Sequence, residues 1–273
     1  MVIKPGTHIL KVRYWVKDVA TNVEGTITKT LPATAYASNT YYDMTANLNV
    51  RNYDGDKYYM WDAQEQYWKG HEWNLGGSQP TLMTQSASSD YPQNSSDPNH
   101  RYYNESYPGH GVSNPAIHSC KDLPNANEMS WYCMYGDPRW DGDELWTTMG
   151  HLYKGGMWFK KKSVLLAEHN YDTEKSADGT TDMRTTFKYY SNTNSSINSG
   201  LPSAADANKY FYLPALGYYF SGQLNYVGYG GDYWSSSAYP WDGSNAYDLG
   251  FSSGNVGVVS NFRSYGFRAE ALQ

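Results

Sequence analysis

Cysteine occurs only twice in the 273 residues, at Cys120 and Cys133, so a framework of several disulfides is excluded. Spacing leaves this pair open between one bridge and two buried thiols. No stretch approaches the roughly 20 apolar residues that cross a bilayer as a helix. Met1-Val2-Ile3-Lys4-Pro5 lacks the apolar core and cleavage site of a secretory leader. Strand-like patterning already begins at Leu10, so the expectation is a chain that starts inside a longer parent, with Met1 as an expression remnant. Basic charge is also thin: 21 Lys and Arg stand against 27 Asp and Glu, and the longest basic run is Lys160-Lys161-Lys162. A net charge of -6 excludes the electrostatic footprint of a nucleic-acid binder.

Phe is rare too, 7 residues against 28 Tyr and 10 Trp. The chain puts its aromatic area into rings with a polar handle, which suit wet recognition surfaces. Catalytic groups are dispersed. His8, His71, His100, His110, His118, His151 and His169 form no pair at metal-ligand spacing, and no nucleophile elbow lies near them. Asp137, Asp141, Asp143 and Glu144 are the best metal candidates, but carboxylates opening a helix serve as caps and complement its dipole. Asp54-Gly55-Asp56 reads as a turn. The expectation is a non-enzyme with no metal and no cofactor.

Three opening segments alternate with period two: Leu10–Lys17, Thr26–Leu31 and Tyr42–Val50. Three strands with one apolar face need a covering sheet, so residues 1–52 read as the end of an antiparallel β-sandwich. Periodicity then disappears over residues 53–114, rich in Ser, Asn, Pro and Gly among scattered aromatics, which read as an ordered connector. Residues 115–273 carry two helix signatures. Asn125 precedes Glu128 at capping-box spacing, with Met129, Tyr132 and Cys133 on one face and Gly136 and Pro138 at the end. Asp141 and Glu144 repeat that spacing ahead of Leu145, Trp146, Met149 and Leu152. Short strands follow, including Phe211–Pro214, Asp232–Ser236, Tyr247–Phe251 and Val256–Val259, so the fold class is α+β.

From Tyr210 onward there is no Lys and no Met, and Tyr, Ser, Gly, Asn and Asp crowd together. Rigid rings interleaved with small polar residues are the composition of a paratope. In Tyr247-Asp248-Leu249-Gly250-Phe251 the large apolar residues share one face and leave the other free. Trp234, Leu249, Phe251 and Phe267 are expected in the core. Tyr239-Pro240-Trp241-Asp242-Gly243-Ser244 has the chemistry of an exposed turn, with Tyr239 and Trp241 presented to solvent.

The run Leu213-Pro214-Ala215-Leu216-Gly217, then Gly228 through Tyr233-Trp234-Ser235-Ser236-Ser237, Asn245-Ala246-Tyr247, Leu249, Phe251, Gly254-Asn255-Val256 and Tyr265-Gly266-Phe267-Arg268 resembles the C-type-lectin-fold variable proteins of diversity-generating retroelements. It is similar also to the related major paralogous domains of gut anaerobes. Leu123 through Met129, Gly136-Asp137-Pro138-Arg139-Trp140 and Met149 through Tyr153 extend the likeness over residues 115–273. Gly6-Thr7-His8, Thr28 through Pro32 and Tyr41 through Thr45 are similar to the last strands of fimbrillin-type pilus subunits.

The resemblance implies a C-terminal C-type-lectin-like domain preceded by part of an antiparallel β-sandwich. It further implies an exported adhesin at the cell surface, pilus or outer membrane, in which a retroelement rewrites adenines in Asn codons. Such rewriting yields Tyr, Ser, Asp, Gly, Phe, Ala, Val or Pro but never Trp, Lys, Met, Gln or Glu, which agrees with the missing Lys and Met. The implied ligand-contacting positions are Tyr219, Phe220, Tyr226, Tyr229, Asp232, Ala238, Tyr239, Pro240, Asp242, Ser244, Asp248, Gly250, Ser252, Val259, Phe262 and Ser264, with Trp241 as a fixed anchor among them. Expected partners are a protein or glycan on another cell or phage, and other pilus subunits, with no nucleic acid and no membrane insertion. A fixed carbohydrate-binding module is the alternative, although the Glu-Pro-Asn and Gln-Pro-Asp motifs of calcium-dependent lectins are missing.

Overall fold

Alternating burial in the opening residues follows from strands with one solvated side. The computed structural model describes residues 2–43, 47–55, 57–107, 114–193 and 197–273; Met1, Met44, Ala46, Asp56 and His110 lie outside them. β1 (Gly6–His8), β2 (Lys11–Lys17), β3 (Glu24–Thr30) and β4 (Thr34–Tyr36) form two separate antiparallel ladders, β1 with β4 and β2 with β3. The strand expected over Tyr42–Val50 does not form in the described residues 42–43 and 47–50. Asn49 sits at φ 53° and donates its N–H to Asn47 Oδ1 at 2.9 Å, a local side-chain turn that competes with a ladder. The opening therefore holds two-stranded ladders where a three-stranded sheet was expected. The β2–β3 hairpin leans on the rest of the chain: Asp18 Oδ2 accepts from Leu152 N at 2.9 Å and meets His151 Nδ1 at 3.1 Å, and Thr21 Oγ1 donates to Leu152 O.

The expected connector is part of the body. β5 (Arg51–Asn52) and β6 (Tyr58–Tyr59) each join a larger sheet, and Tyr58, Met60, Trp61, Ala63, Tyr67 and Trp68 are almost wholly buried. Single side chains hold these loops where a ladder does not. Buried Asp62 accepts from Ile117 N, His118 N and Cys120 N and from Asn104 Nδ2 at 2.7–3.2 Å. Arg101 pairs with Asp97 at 2.6 Å and also donates to Asp90 O. Burial opposes charge on Asp97, yet the Arg101 guanidinium and backbone N–H hold its carboxyl below the usual range.

α1 (Ala126–Tyr135) has the expected capping box. Asn125 Oδ1 accepts from Glu128 N at 3.0 Å, and Glu128 Oε2 accepts from Asn125 N at 2.8 Å, a cap of about 1 kcal/mol. Met129, Tyr132 and Cys133 are fully buried.

The second expected helix is instead a hairpin, β7 (Arg139–Thr148) and β8 (His151–Lys160). Met149 and Gly150 both take positive φ, 49° and 80°, as a two-residue primed turn requires. Asp141 Oδ1 accepts from Asp143 N and Glu144 N at 3.1 and 3.2 Å, where the register shifts between Asp141 and Leu145. The cap-like spacing thus stabilises a bulge, while Trp146, Thr147 and Thr148 favour the strand.

α2 (Lys162–Ala167), β9 (Tyr190–Thr193), β10 (Asn198–Ser199), β11 (Tyr210–Pro214), β12 (Tyr218–Phe220), β13 (Gln223–Asn225), β14 (Gly230–Ala238), β15 (Asn245–Ser252), β16 (Asn255–Phe262) and β17 (Phe267–Arg268) complete the chain. A six-stranded sheet runs β6-β17-β14-β15-β16-β9; a second runs β10-β7-β8-β11 with β5 on β7; β12 pairs with β13. The chain is mostly β with few helices, a mixed α+β arrangement. α1 packs on β9, β14, β15 and β16, and the core beneath it is aromatic.

Both cysteines are free and buried, so the open pairing resolves as two separate thiols. Burial pushes each up to about 12, which keeps them inert thiols at neutral pH.

Candidate ligand-binding face

Residues directly opposite each other in an antiparallel ladder share a face, so the registers of β14, β15 and β16 sort the last third of the chain. Tyr233, Leu249 and Val258 lie in register, as do Phe251 and Val256, and all are buried inward. Their neighbours point the other way. Asp232, Gly250 and Gly257 form one outward row, and Trp234, Asp248 and Val259 the next. Phe267 stacks on Trp234 at 4.3 Å, which keeps that tryptophan fully buried.

A row of rings borders this outward side. Tyr218 stacks on Tyr226 at 5.8 Å and on Tyr265 at 5.7 Å, in both cases with planes 14° apart. Phe220 and Phe262 meet Tyr265 edge-on at 5.0 and 5.8 Å. Tyr226, Phe220 and Phe262 are 59%, 48% and 52% exposed. Tyr229, still more exposed, shares with Tyr226 an open groove of about 470 Å³ lined by Met83, Gln223, Leu224 and Asn225.

The outward carboxylates are electrostatically unusual. Asp248 is fully buried; its Oδ1 accepts from Asn261 Nδ2 at 2.9 Å and its Oδ2 has no partner among the described residues. Burial raises its carboxyl well above the usual range, the adjacent Asp232 charge adds to this, and the Asn261 bond opposes it. Asp232 is half-buried, and desolvation pushes it up to about 7. Burial and then the Asp232 charge also raise the Tyr218 phenol.

A second aromatic group surrounds the β14–β15 turn. Trp241 is half-exposed and packs 5.1 Å from Phe187, which also meets Tyr189 and Tyr239. Tyr189 O–H and Ser260 Oγ, 2.9 Å apart, tie this group to β16. Asp242 shapes the turn by accepting from Ser244 N and Oγ.

The structure brings Phe220, Tyr226, Asp232, Asp248, Gly250, Val259 and Phe262 together on or beside the outward face. Ser252 and Ser264 are half-exposed, and Ser252 bonds to Asn255. Five expected positions are not on the surface, Asp248 among them because it is fully buried on its side of the sheet. Ala238, Tyr239 and Pro240 are buried, and Tyr239 packs on Tyr247 rather than facing solvent. Tyr219 is fully buried, stacked on Tyr67 at 5.5 Å, with its O–H donating to Pro80 O at 2.6 Å. Tyr218 and Tyr265 organise the row but escaped the sequence reading. Strand parity separates Tyr218 and Phe220 from Tyr219, and the Gly222 turn gives no sign of which parity faces out.

Asp137 accepts from Tyr210 and Asn198, whereas Asp141 serves the β7 bulge and Trp158. Among the described residues no group of three or more His, Cys, Asp or Glu is placed to hold a metal. No helix among them is long and apolar enough to cross a membrane. Compared with known proteins, the chain matches no family model, no curated protein and no solved structure.

Proposed function

We propose that the chain is the binding part of an exported cell-surface or pilus-tip adhesin, a C-type-lectin-type α+β body carried by fimbrillin-like opening strands. Its ligand is a protein on another cell or phage, held by the outward face of β14–β16 and its ring row. The observation that carries this reading is the row itself. Phe220, Tyr226 and Phe262 stay about half exposed while Tyr218 and Tyr265 fix them from behind. Rigid, pre-positioned rings at a surface are unfavourable in water and favourable against a partner. Adenine rewriting at the outward positions would change ligand contacts and leave the inward residues alone. Single-site affinity is modest on this reading, and many copies on a pilus raise it by avidity.

The test is multivalent capture. The chain displayed in many copies, and its Tyr226→Ser/Phe262→Ser variant, are incubated with panels of bacterial cells and phage. The reading expects capture of particular members that the variant loses; equal capture by both contradicts it. A glycan ligand is the second reading, favoured by the groove between Tyr226 and Tyr229 with its amide floor of Gln223 and Asn225. Protease treatment of the captured cells separates the two, since only a protein ligand is destroyed.

A further inference from the structure

We infer that Asp232 and Asp248 form the receptor for one organic cation of the ligand, a primary ammonium or guanidinium group, within the face proposed above for binding. The inference rests on that reading and names the chemistry the face selects. Both carboxylates converge on the space left by the missing side chain of Gly250: a Cβ there would lie 2.9 Å from Asp232 Oδ1 and 3.5 Å from Asp248 Oδ2. Asp248 Oδ2 is buried without a hydrogen-bond partner among the described residues. A buried carboxylate oxygen is normally satisfied, and here the described residues supply no countercharge.

Among the described residues the groups facing the pair are few. Asn261 on β16 donates to Asp248, and the Tyr218 phenol feels the Asp232 charge from β12. No Lys, Arg or His among the described residues offsets the raised pKa of either carboxyl. Burial, and for Asp248 the neighbouring Asp232 charge, favour the protonated form of the pair. An arriving cation takes over the proton's role, and the proton leaves to solvent, so charge balances. Calcium fits less well, because it wants six to eight oxygens and Asn261 turns its amide nitrogen toward Asp248. The Tyr226–Tyr218–Tyr265 stack adds ring surface suited to a cation's alkyl stem or face.

The test titrates the 15N-labelled full chain at about pH 7.5 with n-butylammonium, n-butanol and calcium chloride, and reads the Gly250 and Gly257 amide shifts. Saturable shifts are expected with butylammonium and none with butanol. Asp232→Asn, at a half-exposed position that leaves the fold intact, weakens binding by at least about tenfold. Asp248→Asn does the same where it folds. Lowering the pH to about 5 weakens binding several-fold, because protons then compete for the pair. The inference is overturned by the absence of saturation with butylammonium, by unaltered affinity in Asp232→Asn, or by calcium binding more tightly at these amides. Cell capture that still depends on Tyr226 and Phe262 while cations do not bind leaves the face standing and removes only the ligand class.

Discussion

Tyr218 and Tyr265 stack at 5.7 Å with planes 14° apart, and between them they position every exposed ring of the row. The residues that face a partner are thus distinct from those that hold them. Replacing Tyr226 or Phe262 by Ser removes a ring that is more than half exposed, so stability changes by about 0.5 kcal/mol or less. Capture of cells or phage falls sharply in the same variants. Thermal unfolding and the capture assay measure the two effects separately.

Tyr219 behaves oppositely. It is fully buried among Tyr58, Tyr67 and Trp68, with ring centroids at 5.0–5.5 Å. Tyr219→Ser removes the ring and leaves a cavity, at a cost of about 3–5 kcal/mol by analogy with other large aromatic truncations. Denaturant unfolding checks this. A near-neutral outcome would return Tyr219 to the replaceable set.

How much was legible depended on how local each signal was. α1 was readable because Asn125, Glu128 and the Met129/Tyr132/Cys133 face all lie within one short stretch. The Asp141/Glu144 spacing is equally local but ambiguous, since a carboxylate accepting from the residues two and three ahead serves a bulge as well as a helix start. Residues 57–107 carry no periodicity because their order comes from contacts such as Asp62 with Ile117 and His118, far apart in sequence. Alternation along β15 separates Asp248 and Gly250 from the inward residues, but it does not show that Asp248 is fully buried on its own side of the sheet. Tyr219 and Phe220 are neighbours in one strand and cannot both face out, and the spacing of the resemblance does not say which of the two does.

Asp62 tests the pinning of those loops. Asp62→Ala removes the shared acceptor of the Ile117, His118 and Cys120 N–H groups, the last of them in a buried bond, a loss of about 2 kcal/mol. Limited proteolysis then cuts within 57–107 before the rest of the chain, whereas a protease pattern like the parent's would show that the ladders alone hold this segment.

The acid pair gives stability a definite pH sign. Asp232 titrates near 7 when folded but near 4 when unfolded, so the folded chain binds more protons in that window. Its stability therefore falls as pH rises from about 4 to 7. With Asp232 half exposed and screened, the effect is on the order of 1 kcal/mol, a fall in Tm of roughly 2–4 °C. Thermal unfolding between about pH 5 and 8 shows that slope in the parent and a shallower one in Asp248→Asn; equal slopes contradict the coupling.

The most direct measurement of the central claim is the sequence of the DNA around the gene. The account predicts a near-copy of the segment encoding residues 218–268 beside a reverse transcriptase, differing only at adenines. Those differences fall in codons for outward residues such as 220, 226, 232, 250 and 262. They spare the buried Tyr219, Tyr233, Trp234, Leu249 and Phe251. Absence of a copy, or differences concentrated in the buried codons, contradicts it.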